Sequence, residues 1–504
     1  EDDIFWGAIE RSLEQAPTYR ALLNKQFSQW LKKKYGNQQE LEKAWGKENI
    51  PADESLAKEN IYPQPNHGLF SWEHEKAAKE NRKMATHILD KMRFLYETQL
   101  EFYQRFEKAI RETGYKGTLV GSCWQAGSGI AHFYNLRTDY EVGMIDRHNY
   151  FGGGEGGHRL AEGTVKNQSM LDSPGGGLLS TGLQQVVNRP FSFSEWMSLV
   201  PNEWTAESDP IIAVYGMGLQ GWDASFSFAT DLPRFSRLLE SERHGVYNAT
   251  SPLHFGLYPA LARMIYRNDI AESPVIATRN VHLPSLEEGK LGFNERVQQG
   301  YDDKNFTGIV TPEMLAIGLY PVEFTKSYQE TKIPDTRDYW DQDKKLITSA
   351  TGELNWNYDE GSYFTVNTKA TKALVGFAKN KKINLGNWQI ETENQFAVIF
   401  LTDLSKAGDL SGADKILLTV VARGRNTGMQ YEYNENETVL INTGEMPLLL
   451  EPVIATISSG RLKDCEVRVL DQDGRATGKK IEVNNGTFSI NSAKDKTLYY
   501  LIEF

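Results

Sequence analysis

A long amphipathic helical pattern that runs straight into a short apolar segment framed by glycines is the feature that most limits the folds open to this chain. Met84, Ile88, Met92, Leu95, Phe102, Phe106 and Ile110 lie along one helical face, charged residues fill the other, and the pattern closes at Gly114. Thr118, Leu119 and Val120 follow between Gly117 and Gly121 and read as a buried strand. A helix followed by a buried strand is the alternation of a parallel α/β sheet.

The alternation continues downstream. A strand is expected at Val142 to Asp146, then a Gly-rich loop, a short helix around Leu178 to Val187, and a strand at Phe191 to Glu195. A helical stretch from Asp209 to Leu219, a strand at Ala224 to Phe228 and a helix from Pro252 to Arg267 complete the series. Upstream, Tyr19, Leu22, Leu23, Phe27, Trp30 and Leu31 predict an amphipathic helix ending near Gly36, and Asn37 with Glu40 has the spacing of a capping box that opens a second helix. Chemistry-bearing residues come after the strands, as they do in a (β/α)8 barrel, where active sites sit at the carboxyl ends. Four such units make half a barrel, so the other half is expected on a missing upstream segment or on another chain.

Beyond about residue 270 the periodicity lapses, and 271–352 reads as a connecting segment. From Tyr363 onward, short β-branched and aromatic runs alternate with turn signals: Ala373 to Phe377, Phe396 to Leu401, Ile416 to Val421, Thr438 to Ile441, Glu466 to Leu470, Phe488 to Ile490 and Leu498 to Phe504. Asp471 to Gly474 suits a tight turn, and Asn484-Asn485-Gly486 suits the turn of a hairpin. The expected architecture is therefore α/β plus β: the second half of a (β/α)8 TIM barrel over 1–270, the connection, and a C-terminal β-sandwich over 353–504.

With 55 Lys and Arg against 67 Asp and Glu, the net charge of -12 repels a phosphate backbone, so no nucleic-acid partner is expected. No apolar run approaches the ~20 residues of a membrane span. Only 2 Cys are present and the 9 His include no HExxH pair, so no catalytic metal and no cofactor are expected. Gly152 to Gly157 lacks the Lys-Ser/Thr of a phosphate loop and reads as a flexible loop at the site.

Two stretches carry chemistry. In Pro190-Phe191-Ser192-Phe193-Ser194-Glu195-Trp196 a carboxylate closes an apolar strand, where an unpaired buried charge is costly; function or an ion pair with an Arg both account for it. In Asp146-Arg147-His148-Asn149-Tyr150, a phenol two residues past an imidazole could hydrogen-bond a neighbouring carboxylate, or the group could be a satisfied polar cluster.

Together these stretches resemble the second half of a clan A glycoside hydrolase barrel, the group that holds β-galactosidases and agarases. The segments Gly216 to Asp223 and Leu257 to Arg263 are similar to its last helices. The resemblance implies that Glu195 is the nucleophile closing strand seven and that His148 and Tyr150 are the pair following strand six. It implies by position that Glu1 is the acid/base, although the Asn that precedes this Glu in the clan is not in the sequence. Trp124 is expected as a subsite wall or a core residue, Trp196 and Phe228 as sugar contacts, and Glu203 and Glu207 as substrate contacts or helix-start caps. Trp222, ahead of its strand, is expected to pack. The implied activity is retaining hydrolysis of a β-linked galactoside-type oligo- or polysaccharide by a secreted or periplasmic enzyme. The rival reading is a non-catalytic carbohydrate-binding or scaffolding protein on the same fold, which a second acidic side chain facing Glu195 would disfavour.

Overall fold

The computed structural model describes residues 13–63, 73–123, 129–230, 234–299, 304–435 and 437–504. The chain opens with helices α1 (Pro17–Tyr35) and α2 (Gln38–Trp45), continues through α3 (Glu73–Glu80) into the long α4 (Arg82–Glu112), and then forms α5 (Ile130–Val142). The capping box forms, with Asn37 Oδ1 accepting the Glu40 backbone N–H at 3.0 Å. Phe27 and Leu31 of α1, Leu41 and Trp45 of α2, and Ile88, Met92 and Leu95 of α4 enter one apolar core. Beneath them Asp90, 1% exposed, accepts bonds from the Trp45 indole (2.8 Å), the Tyr35 phenol (2.5 Å) and the Lys34 ammonium (2.5 Å). The rest of the apolar face of α4 is not covered by described residues. Phe102 and Phe106 are half exposed, with their rings 4.6 Å apart.

Three parallel strands follow in chain order: β1 (Ile145–Gly152), then, after a short β2 (Gly163–Val165) that pairs elsewhere, β3 (Phe191–Leu199) and β4 (Ala224–Ser227), with β3 in the middle. On the free side of β1, Val120 makes a single parallel bridge to Met144, so four consecutive parallel positions lie side by side. Two expectations are corrected here. Thr118 to Val120 forms this one bridge rather than a buried strand, and Val120 is 41% exposed. The expected strand at Val142 to Asp146 begins later, at Ile145, because α5 occupies the chain up to Val142 and Gly143 turns it, at φ 152° and with Leu119 O 3.0 Å from where a Cβ would stand. His148 and Tyr150 therefore lie inside β1, not after it.

The helical stretches of the sequence take other forms. Gly177–Gln184 is a 3-10 helix, Ser208–Ile211 passes into a π-helix at Ile212–Leu219, and the segment from Pro252 divides into Pro252–Phe255 and Tyr258–Arg267. Trp222 packs as expected. It lies against Phe191 and Phe193 and over Gly216, where a Cβ would meet the indole at 2.7 Å.

From Trp340 on, the chain is antiparallel β. A ten-stranded sheet runs in spatial order 476–481, 466–470, 499–503, 415–421, 397–403, 371–376, 363–367, 354–357, 346–348 and 340–341. A four-stranded sheet holds 383–385, 388–392, 454–459 and 487–491. Strand alternation explains the packing: Leu374, Ile399 and Leu401 meet Ile390, Ile457 and Phe488 of the smaller sheet in one cluster. Their neighbours Val375, Val398 and Phe400 face the large core that also contains Tyr215 and Phe193. Both faces are buried, so these strands read as unbroken apolar runs. The turn at Asn484 to Thr487 forms, but its flanking strands belong to different sheets; the hairpin is the one closed by Asp471 to Gly474.

The join of α5 to β1 depends on a buried ion pair. Arg147 and Asp139 are each fully buried, 2.8 Å apart, and Asp139 also accepts the Ser122 N–H at 3.0 Å. Removing one partner of such a pair leaves an uncompensated buried charge. The substitution Asp139→Asn is expected to destabilise the protein by about 3–5 kcal/mol. Denaturant unfolding checks this, and a loss under ~1 kcal/mol would show the pair to be dispensable.

Candidate active site

The site is built on an irregularity in β3. Arg147 pairs with Phe193, but the next residue of β1, His148, pairs with Glu195, so Ser194 is one residue too many. Such a bulge reverses which face the following side chains take. Without it Glu195 would share a face with Phe193, toward the helical layer. With it, Glu195 joins His148 and Tyr150, while Trp196 returns to the Phe193 side. The amide that the bulge removes from the ladder is not orphaned: Ser194 N donates to Asp146 Oδ1 at 3.1 Å. The Ser194 hydroxyl donates to Asp146 Oδ2 at 2.6 Å, and the Ser192 hydroxyl also reaches Oδ1.

On the resulting face the Tyr150 hydroxyl donates to Glu195 Oε2 at 2.7 Å, and His148 Nδ1 lies 3.3 Å from the same oxygen. Glu195 keeps 27% of its side chain exposed while His148 is 4% exposed, so the carboxylate sits at an opening and the imidazole below it. His148 Nε2 lies 2.9 Å from Ser194 Oγ. Burial, followed by the Lys304 and Arg147 cations, pushes the imidazole pKa down to about 3, so the ring is neutral near pH 7. Lys304, itself 4% exposed, donates its ammonium to the His148 carbonyl at 2.6 Å. A cavity of about 100 Å³ beside Tyr150 is lined by Lys304, Lys166, Gln168 and Asn305 among others.

An aromatic wall stands next to the phenol. Phe228, just past β4, meets Tyr150 edge-on at 6.4 Å and Tyr247 at 5.3 Å, and Tyr247 is 5.1 Å from Tyr150. The Tyr247 hydroxyl lies 2.9 Å from His158 Nδ1. Glu195, His148, Tyr150 and Phe228 thus come together. Ser194, Asp146, Lys304 and Tyr247 join them without having been assigned roles from sequence; the Ser–Glu doublet at the end of an alternating Phe-Ser-Phe-Ser run was the available signal for a bulge.

Three expectations fall elsewhere. Trp196 was expected to touch sugar, but its ring stacks on Phe193 at 6.2 Å and its indole N–H donates to Ser225 at 2.8 Å, on the opposite face from Glu195. Glu203 was expected as a substrate contact or a helix-start cap, but it is 3% exposed and its carboxylate is taken up by the Arg425 guanidinium, Arg423 (3.4 Å), Tyr433 (2.8 Å) and Asn167 (2.9 Å). Glu207 is fully buried and accepts from Ser169 Oγ (2.5 Å) and the Met170 amide (2.6 Å), anchoring a loop. Glu1 and Trp124 lie outside the described residues. Among the described residues no group of three or more His, Cys, Asp or Glu could hold a metal ion, and no helix is long and apolar enough to cross a membrane.

Burial raises the Glu207 pKa to about 8 against the pull of its two donors. A raised folded pKa means that the protonated form is favoured in the fold. That contribution is complete below the ordinary value near 4.5 and is lost as pH rises through about 8. Glu207→Gln, which keeps an acceptor for Met170, is expected to melt with the parent at pH ~5 and to exceed it at pH ~9 by a few kcal/mol, at about 1.4 kcal/mol per pKa unit. Parallel melting curves at both pH values would show that the carboxyl does not titrate this way.

No curated protein and no solved structure matches the chain. One family model does: glycoside hydrolase family 42, described as beta-galactosidase, matches residues 9–198, a span that takes in α1 to β3 and ends three residues past Glu195. Across that span, the chain is similar to this β-galactosidase family.

Proposed function

We propose that this chain acts as a retaining glycosidase on β-linked galactoside-type oligo- or polysaccharides, with Glu195 as its nucleophile. The observation that carries the reading is the bulge at Ser194, which aims Glu195 onto the face where Tyr150 donates to it at 2.7 Å. A carboxylate held by a phenol and left partly open can approach a sugar ring, whereas one saturated by arginines, such as Glu203, cannot. The four parallel positions around β1, β3 and β4 support reading 1–270 as the second half of a (β/α)8 barrel, with the site at the carboxyl ends of its strands. The two antiparallel sheets support the β-sandwich expected over 353–504, which the strands Leu346–Thr348 and Trp340–Asp341 extend upstream.

In the first step a Glu195 oxygen attacks the anomeric carbon while the bond to the leaving oxygen breaks and its electrons go to that oxygen, which takes a proton from the acid. By resemblance that acid is Glu1. In the second step the same group, now a base, takes a proton from water, whose oxygen displaces Glu195 from the anomeric carbon. Tyr150 holds the carboxylate in position before attack. Phe228, Tyr150 and Tyr247 supply flat faces for the C–H side of a pyranose. An enzyme of this kind would meet its polysaccharide outside the cytoplasm, in the secreted or periplasmic setting.

Replacing Glu195 by Gln is expected to lower kcat on an aryl β-galactoside by roughly 10³-fold or more. Binding of the intact sugar, followed by calorimetry, should persist. Full turnover in Glu195→Gln would remove the assignment, and a panel of aryl glycosides and algal or plant polysaccharides identifies the sugar.

A further inference from the structure

We propose that Asp146 and Ser194 form an ordered hydrogen-bond relay that fixes His148 as the Nε2–H tautomer and thereby keeps Glu195 basic enough to attack. The proposal rests on the reading of Glu195 as nucleophile. Asp146 takes the Ser194 amide at 3.1 Å, the Ser194 hydroxyl at 2.6 Å and the Ser192 hydroxyl, so the single hydroxyl proton of Ser194 is committed to it. Ser194 Oγ then meets His148 Nε2, 2.9 Å away, with a lone pair, and the proton in that contact comes from the imidazole.

A neutral imidazole has one N–H. With it on Nε2, Nδ1 presents a lone pair to Glu195 Oε2 at 3.3 Å. The opposite tautomer would present an N–H there, which stabilises the carboxylate and weakens it as a nucleophile. A lone pair does the reverse. It raises the energy of the anion, and the repulsion vanishes when the carboxylate becomes a neutral ester in the glycosyl-enzyme, so the effect favours the step toward the transition state. Ser194 and Asp146 are positioning residues in this arrangement, since they act through His148.

The charged and titratable groups around this pair come from several elements. β1 supplies Asp146, Arg147 and Tyr150, α5 supplies Asp139 against Arg147, and Lys304 reaches the His148 carbonyl from the strand Lys304–Gly308. Burial first, and then the two cations, keep the imidazole neutral and so make its tautomer the variable.

The test combines a tautomer measurement with a pH profile on the whole chain. In 15N-labelled protein, with His148→Gln used to assign the signal, His148 is expected as the Nε2–H form. Asp146→Asn keeps the shape but offers an amide N–H to Ser194. The serine then turns its own proton to Nε2, and His148 is expected to switch to Nδ1–H. Ser194→Thr keeps the hydroxyl and should retain the parent tautomer. On the aryl galactoside, the acid limb of kcat/KM is expected to move down by roughly one pH unit in Asp146→Asn and to stay in place in Ser194→Thr. An Nδ1–H signal in the parent protein, or an unchanged tautomer in Asp146→Asn, overturns the relay. A switched tautomer with an unmoved acid limb overturns its link to the nucleophile. A protein without glycosidase turnover fails the functional reading instead, and the tautomer signals then judge the relay alone.

Discussion

One extra residue in one strand decides the chemistry open to this chain. If β3 kept strict alternation from Phe191 to Leu199, Glu195 would point with Phe193 into the helical layer, where a carboxylate without partners has no stable place. The bulge at Ser194 turns it to the opposite face, and Asp146 makes the bulge tolerable by accepting the amide that leaves the ladder. The same carboxylate also takes the Ser194 hydroxyl. The group that stabilises an irregular backbone thereby also orders the hydrogen bonds of the side chain beside Glu195.

The electrostatics beneath the site follow from burial. Arg147 lies fully buried on the face opposite His148, neutralised by Asp139, and Lys304 is buried against the His148 carbonyl. Burial itself penalises an imidazolium and the nearby cations add their repulsion, which is why the imidazole stays neutral although a carboxylate lies 3.3 Å away. A His148 ion-paired with Glu195 would lock the carboxylate; a neutral one leaves it available. The floor of the site thus sets the charge of the imidazole beside Glu195.

Much of this was legible in the sequence, for physical reasons that can be named. The capping box at Asn37 and the amphipathic start of α4 are local signals, and each formed as expected. The C-terminal strands were readable because they are short, β-branched and separated by turns, even though burial on both faces erased their alternation. By contrast α5 shows no stripe of period 3.6, because nine of its thirteen residues are buried and polar and apolar ones share the interior, so the sequence pattern marks no helix there and places a strand from Val142. The pairing of His148 and Tyr150 with Glu195 followed from the clan resemblance. The bulge that makes it possible is a matter of register between strands some 45 residues apart, which single-strand patterns do not encode. Trp196 was misplaced for the same reason.

Glu203 shows what that limitation means for the molecule as a whole. Its partners Arg423, Arg425 and Tyr433 stand more than 200 residues downstream, in the antiparallel region, and Tyr431 beside them donates to the Pro201 carbonyl at 2.8 Å. Trp204, the next residue, packs on Phe377 and Phe396 of that same region. The loop that leaves β3 is therefore clamped at three successive points, Pro201, Glu203 and Trp204. Because Glu195 lies only six residues before the first of them, the strand end that carries it inherits that rigidity. Catalytic constellations need to be held to within a fraction of an ångström by side chains that are themselves fixed. The β-rich region supplies that support from behind, so its tight junction with the parallel strands serves the orientation of the carboxylate as well as the burial of apolar surface.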